Sequence, residues 1–211
     1  MPRLPACGLY AITDGPRPDL LAAVEAVLRG GCRVLQYRDK TPDQPRRERE
    51  ARELVALCAR YAVPLIVNDD AALAARVGAA GVHLGEDDAD VASARALLGP
   101  AGIVGVSCYD SLPRAQELAA AGADYLAFGA FHPSPSKTTT RRANPNLLGD
   151  AAALGKPRVA IGGITPENAP PLIAAGADFL AVISGVFAQP DPQRAAARYA
   201  ALFPPFHRAD P

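Results

Sequence analysis

Eight short runs rich in apolar, β-branched or aromatic residues recur along the chain, and each is followed by an amphipathic or alanine-rich stretch. They are Leu9 to Ile12, Val34 to Tyr37, Leu65 to Val67, Gly81 to Leu84, Ile103 to Val106, Tyr125 to Phe128, Val159 to Ile161 and Phe179 to Ile183. Strands that alternate with helices make a parallel sheet, because each helix returns the chain to begin the next strand in the same direction. The pattern therefore predicts an α/β fold, a single (β/α)8 TIM barrel, although a doubly wound open sheet would give nearly the same alternation. Leu20, Leu21, Val24, Val27 and Leu28 share one helical face after the first run, and Leu54, Val55 and Cys58 do so after the second. A weak internal repeat puts glycine between helix and strand at Gly30-Gly31, Gly81, Gly122 and Gly176, where a helix end commonly needs positive φ.

With 211 residues, 49% of them hydrophobic, the chain can bury a substantial core, and one domain over residues 1–211 is expected, with 204–211 as a frayed tail. Lysine plus arginine and aspartate plus glutamate both number 22, so no long-range field draws in nucleic acid or a membrane surface, and small-molecule substrates are the expected partners. Cys7, Cys32, Cys58 and Cys108 lack the spacing of a zinc site or a disulfide framework, and read as small buried residues in a reducing compartment. No basic segment leads into an apolar run and no stretch reaches about 18 consecutive apolar residues, so a cytoplasmic location is expected. The alanine-rich outer helices do not distinguish a monomer from a homo-oligomer.

Polar residues gather after the strands, not before them. They include Gln36 to Lys40, Asn68-Asp69-Asp70, Gly85 to Asp88, Ser107, Ser134 with Ser136 and Lys137, Gly162-Gly163, and Ser184-Gly185. In a parallel barrel all of these converge on one rim, where barrel enzymes keep their chemistry. Arg38 and Lys40 alternate with Gln36 and share its side of an extended segment, giving two cations and an amide for an anionic ligand, or else a solvated surface pair. Asp69 and Asp88 suit one hard divalent cation such as Mg2+; helix capping by Asp70 and Asp88 is the structural alternative. Gly162-Gly163 and Ser184-Gly185 stand where barrels commonly hold phosphate, though a tight turn would also explain the glycines. Residues 132–146 form a polar segment long enough to act as a lid carrying Lys137. His83 reads as a packed core residue and His132 borders the lid; no Ser-His-Asp arrangement is visible, so acyl transfer is a poor fit.

Taken in order, Leu9-Tyr10-Ala11-Ile12-Thr13-Asp14, Gln36-Tyr37-Arg38-Asp39-Lys40, Asn68-Asp69, Gly81-Val82-His83-Leu84-Gly85, Gly105-Val106-Ser107, Ser134-Pro135-Ser136-Lys137, Ile161-Gly162-Gly163-Ile164 and Ile183-Ser184-Gly185 resemble the thiamine phosphate synthase family. The resemblance implies a magnesium-using barrel that joins a hydroxymethylpyrimidine diphosphate to a thiazole phosphate with release of pyrophosphate. Carried over by position, it implies that Gln36, Tyr37, Arg38, Asp39, Lys40, Asn68, Ser107 and Lys137 form the pyrimidine diphosphate site. Arg38, Lys40, Ser107 and Lys137 would be catalytic, Asp69 and Asp88 would bind the metal, and Ser134, Pro135, Ser136, Gly163, Ile183 and Ser184 would surround the thiazole phosphate.

The sequence departs from the family pattern at Glu86-Asp87, at the serines Ser134 and Ser136 where threonine is common, and at Tyr37 and Asp39. None removes a proposed ligand. A sister group of thiazole tautomerases would place its catalytic histidine where this chain has Ala130, leaving only the nearby His132 to that reading. A non-catalytic sensor of thiamine precursors would keep the pocket without turnover.

Overall fold

The computed structural model describes residues 4–88, 90–133 and 141–204. Its strands are β1 (Gly8–Ile12), β2 (Val34–Tyr37), β3 (Leu65–Asn68), β4 (Gly81–Leu84), β5 (Ile103–Tyr109), β6 (Tyr125–Phe128), β7 (Arg158–Ile161) and β8 (Phe179–Val182). The helices are α1 (Leu20–Arg29), α2 (Gln44–Arg60), α3 (Ala71–Val77), α4 (Val91–Leu98), α5 (Leu112–Ala120), α6 (Asn146–Asp150), α7 (Pro170–Ala174), α8 (Ser184–Phe187) and α9 (Pro192–Ala200). Every strand pairs in parallel with its sequence neighbour, and β1 pairs with β8 to close the barrel. The open sheet is thereby excluded. Among the described residues, no helix is long and apolar enough to cross a membrane.

Period-two alternation divides the strand residues between two cores. Tyr10, Ile12, Val34, Ile66, Ile103, Tyr125, Val159 and Phe179 point inward and fill the barrel, whereas Leu9, Leu35, Val67, Val82, Val104, Leu126, Ala160 and Leu180 face the helices. In α1, Leu20, Val24, Val27 and Leu28 are buried, but Leu21 is 40% exposed and does not belong to the expected face. The stripe repeats at i, i+4, i+7 and i+8, and Leu21 lies one position round from it. In α2 the buried set is Ala51, Leu54, Leu57 and Cys58, with Val55 half-buried beside it. Burial pushes the Cys32 and Cys108 thiols up to about 12, as suits packing residues, while Cys7 is only half-buried.

The glycine repeat has two physical causes. Gly31, Gly122 and Gly176 do have positive φ, of 93°, 97° and 107°. Gly81 instead begins β4, where a Cβ would strike the backbone of Ile103; the left-handed cap of α3 is Gly78, with φ 70°. Gly105 is demanded by packing as well, because the ring of Tyr125 occupies the space a Cβ would take. We expect Gly105→Ala to lower the unfolding free energy in urea by about 1–3 kcal/mol through overpacking inside the barrel. Gly149→Ala, within α6, should change it by less than about 1 kcal/mol, towards higher stability.

Candidate active site

At the carboxyl ends of four consecutive strands the inward position is polar: Gln36 on β2, Asn68 on β3, His83 on β4 and Ser107 on β5. Ser107 was expected just after its strand, but β5 continues to Tyr109 with an irregularity between Ser107 and Tyr109. Three of the four inward polar residues are joined within the barrel. Gln36 Nε2 donates to Tyr10 Oη at 2.8 Å, and Tyr10 Oη lies 2.7 Å from Tyr125 Oη. Tyr125 Oη is 2.9 Å from His83 Nδ1, and His83 Nε2 is 2.9 Å from Ser107 Oγ. His83 also stacks on Tyr125, with ring centroids 5.6 Å apart. His83 is thus half-buried, stacked on Tyr125 and hydrogen-bonded through both ring nitrogens.

Behind β2, the chain carrying Arg38 and Lys40 is held from several sides. Thr13 is fully buried; its hydroxyl accepts from the Arg38 N–H at 2.8 Å and donates to the Arg38 carbonyl at 3.1 Å. Tyr37 and Asp39, expected in the pyrimidine diphosphate set, turn their side chains the other way. Alternation sends them towards α2, where Tyr37 Oη donates to Glu50 at 2.7 Å and Asp39 lies 2.7 Å from Arg46 Nη2. The Arg46 contact is close enough for charge attraction, although it is not aligned as a hydrogen bond. Burial opposes ionisation of Asp39, yet the Thr41 N–H at 2.8 Å and the Arg46 charge hold its carboxyl below the ordinary range. Arg46 also reaches Asp43 and Glu50, so α2 fixes the loop from its outer side.

Lys40 Nζ lies 3.4 Å from Asp69, and Asp69 lies beside Asp88. Burial and the neighbouring Asp69 raise the Asp88 carboxyl above its ordinary range, although the Gly85 N–H bonds to it and opposes the shift. Asp69 has φ 63°, a conformation that non-glycine residues rarely adopt and that commonly marks a functional turn. Its N–H donates to the His83 carbonyl at 2.8 Å, tying the turn to β4. The capping alternative holds for Asp70, whose carboxylate accepts from the Leu73 N–H at 2.8 Å, and fails for Asp88, because α4 is capped by Asp90. Among the described residues no group of three or more histidines, cysteines and carboxylates is gathered as a metal cage. The acidic pair is a set of two hard oxygen donors beside a cation.

At the same end of the barrel lies a cavity of about 470 Å³, lined by Ser107, Gly129, Gly163, Ile183 and Ser184 among others. Gly163 has φ 59°, and a Cβ there would meet His132 and Pro133. Ala130 also lines the cavity, while His132 Nε2 is buried without a hydrogen-bond partner among the described residues. Ser134, Pro135, Ser136 and Lys137 lie outside the described residues, as do residues 205–211 of the expected tail. Past that segment Arg141 pairs with Glu86 at 3.0 Å and stacks 4.5 Å from the Tyr109 ring.

The structure therefore brings together Lys40, Asp69 and Asp88, and groups Ser107, Gly163, Ile183 and Ser184 around one cavity. The sequence reading did not assign Thr13, Tyr10, Tyr125 or His83 to the site. Period two does place Tyr10 and His83 on inward faces, but which hydroxyl meets which nitrogen depends on strands far apart in sequence. We expect Thr13→Val to leave two backbone groups of Arg38 unpaired and to lower stability by about 1–3 kcal/mol. It should also weaken binding of inorganic pyrophosphate, whereas Thr13→Ser should retain both; urea unfolding and calorimetric titration read the two effects.

The family described as thiamine monophosphate synthase matches residues 9–186. A thiamine-phosphate synthase from Xanthomonas campestris pv. campestris (strain 8004) is 57% identical over 199 residues, covering 94% of this chain and 96% of that protein. One from Thioalkalivibrio sulfidiphilus is 56% identical over 200 residues, covering 93% of this chain and 95% of the relative. A solved thiamine phosphate pyrophosphorylase from Pyrococcus furiosus superposes with a TM-score of 0.84 at 31% identity, covering 93% of this chain and 95% of its own.

Proposed function

This chain belongs to the thiamine monophosphate synthase family and is a transferase, and we propose that it joins 4-amino-5-hydroxymethyl-2-methylpyrimidine diphosphate to 4-methyl-5-hydroxyethylthiazole phosphate, or to its 2-carboxylate. The observation that carries this reading is the cluster of Lys40, Asp69 and Asp88 at the same end of the barrel as a cavity lined by residues of and after strands seven and eight. A cation and two carboxylates suit a metal-bound diphosphate, and the cavity suits a second phosphorylated substrate.

In the proposed reaction the bond between the pyrimidine methylene carbon and the diphosphate oxygen breaks first. Pyrophosphate leaves with the bonding electrons, and a ring-stabilised carbocation remains. The thiazole nitrogen then gives its lone pair to that carbon, forming thiamine phosphate; if the 2-carboxylate is the substrate, its carboxyl group must also leave as carbon dioxide, the bonding electrons staying on C2, which takes a proton. Such a reaction asks for charge stabilisation at the leaving group and a fixed position for the nucleophile, not for a strong base. Arg38, Lys40 and Lys137 meet the leaving pyrophosphate, with Ser107 and Asn68 beside the pyrimidine. Gly163, Ile183 and Ser184, together with Ser134, Pro135 and Ser136, hold the thiazole phosphate. Asp69 and Asp88 would hold one magnesium ion, which when bound supplies positive charge to the departing diphosphate.

Pyrophosphate release on mixing both substrates with magnesium tests the proposal. Isomerisation of a thiazole phosphate alone would point to a tautomerase, and binding without turnover to a sensor. Asp69→Ala and Lys137→Ala should each lower turnover by roughly 10²-fold or more, about 3 kcal/mol of transition-state stabilisation, with unfolding unchanged. Removing magnesium with a chelator should abolish turnover and restoring it should recover the rate; near-normal rates in the variants or in chelator would count against these roles.

A further inference from the structure

Gln36 and Ser107 occupy opposite ends of one hydrogen-bonded chain, and the senses of its bonds are coupled. Gln36 Nε2 donates to Tyr10 Oη, and with no hydrogen bond to the amide oxygen among the described residues, that oxygen is left for a ligand. Tyr10 is 1% exposed and Tyr125 fully buried, and burial holds both phenols well above their ordinary range, so each keeps its hydrogen. With the Gln36 N–H already directed at Tyr10 Oη, the Tyr10 hydrogen has the Tyr125 oxygen, 2.7 Å away, as its acceptor. The Tyr125 hydrogen then goes to His83 Nδ1, and His83 carries its own hydrogen on Nε2, directed at Ser107 Oγ. Reversing only the Tyr10–Tyr125 bond would leave the buried Tyr10 hydrogen without an acceptor, which costs far more than a well-paired bond contributes.

We propose that Tyr10, Tyr125 and His83 are positioning residues that couple the two ends of the chain, so that Gln36 presents an acceptor only while Ser107 presents a donor. The inference rests on the pyrimidine diphosphate reading above and deepens it, because it says how the site selects its heterocycle. An exocyclic amino group meets the Gln36 oxygen, and an acceptor atom of the same ligand meets the Ser107 hydroxyl. A ring with an oxo group in place of the amino group would require the Gln36 amide to rotate. That rotation would reverse every bond through to Ser107 and remove the donor at the far end. The coupling needs an unbroken chain in a barrel interior without competing water, where a mispaired polar group is expensive. Gln36, Tyr10 and Tyr125 are buried, Gly105 leaves room for the Tyr125 ring, and the half-buried His83 stacks on that ring at 5.6 Å.

The test is calorimetric binding of the aminopyrimidine diphosphate and of its 4-oxo analogue, with magnesium, to the wild-type protein and to Tyr125→Phe and Tyr10→Phe. Wild-type protein should prefer the amino compound by roughly 10²-fold or more, in keeping with the rejection of mismatched analogues by hydrogen-bonding sites. Each phenylalanine variant should reduce that preference at least about tenfold, with affinity for inorganic pyrophosphate kept within about threefold of wild type. Undiminished preference in a variant that still binds pyrophosphate would overturn the coupling. Failure of wild-type protein to bind the aminopyrimidine diphosphate at all would instead overturn the functional reading beneath it. Should neither variant fold, nitrogen-15 NMR of the histidine rings in wild-type protein decides the matter, since the chain contains 3 histidines. The His83 ring should carry hydrogen on Nε2 and accept at Nδ1; hydrogen on Nδ1 would overturn the proposed sense of the chain.

Discussion

Parallel pairing of β1 with β8 is the contact on which the rest of the molecule depends. Once the sheet is closed, every strand has an inside and an outside, and alternation must satisfy two cores at once. All strands also end on the same rim, so segments as distant in sequence as those of Lys40, Asp88 and Ser184 share one end of the barrel. An open sheet of the same units would have split its helices between two faces and left two edges.

Closure also makes the barrel interior a demanding place for polar atoms. Gln36, Tyr10 and Tyr125 are almost completely removed from water, and each satisfies its hydroxyl or amide through the next. The chain passes through His83 to Ser107 and so joins a dry interior to the half-exposed rim. Polar residues at these positions do not stabilise the barrel as apolar ones would; what they supply is a fixed direction for donors and acceptors at the mouth.

A second set of contacts holds the rim from outside. Thr13 binds both backbone groups of Arg38, while Tyr37 and Asp39 anchor the neighbouring residues to Glu50 and Arg46 of α2. Tyr37 and Asp39, whose side chains hold the segment against α2, therefore alternate with Arg38 and Lys40, the cations proposed to meet the diphosphate. The unusual backbone of Asp69 is tied to β4 by its N–H, which sets one acidic side chain beside the next strand's Asp88. Groups held on such a frame need little reordering to meet a ligand, which lowers the entropic cost of the proposed binding.

Much of the architecture was legible without coordinates, because strand and helix periods are local properties of the chain. The eight apolar runs located every strand, and the polar residues that follow them marked the rim. Gly122 and Gly176 announced left-handed turns, but Gly81 looked identical in sequence and owes its place to the approach of Ile103 from the next strand. Family resemblance places Tyr37 and Asp39 in the pyrimidine diphosphate segment, and only the tertiary structure shows that their side chains reach Glu50 and Arg46 of α2. The sequence by itself determined the number of βα units, the buried faces of α1 and α2 apart from Leu21, and the end of the barrel where polar residues gather. Only the tertiary structure decided which polar groups meet, since hydrogen-bond partners such as Tyr10 and Tyr125 lie 115 residues apart and come together through closure alone.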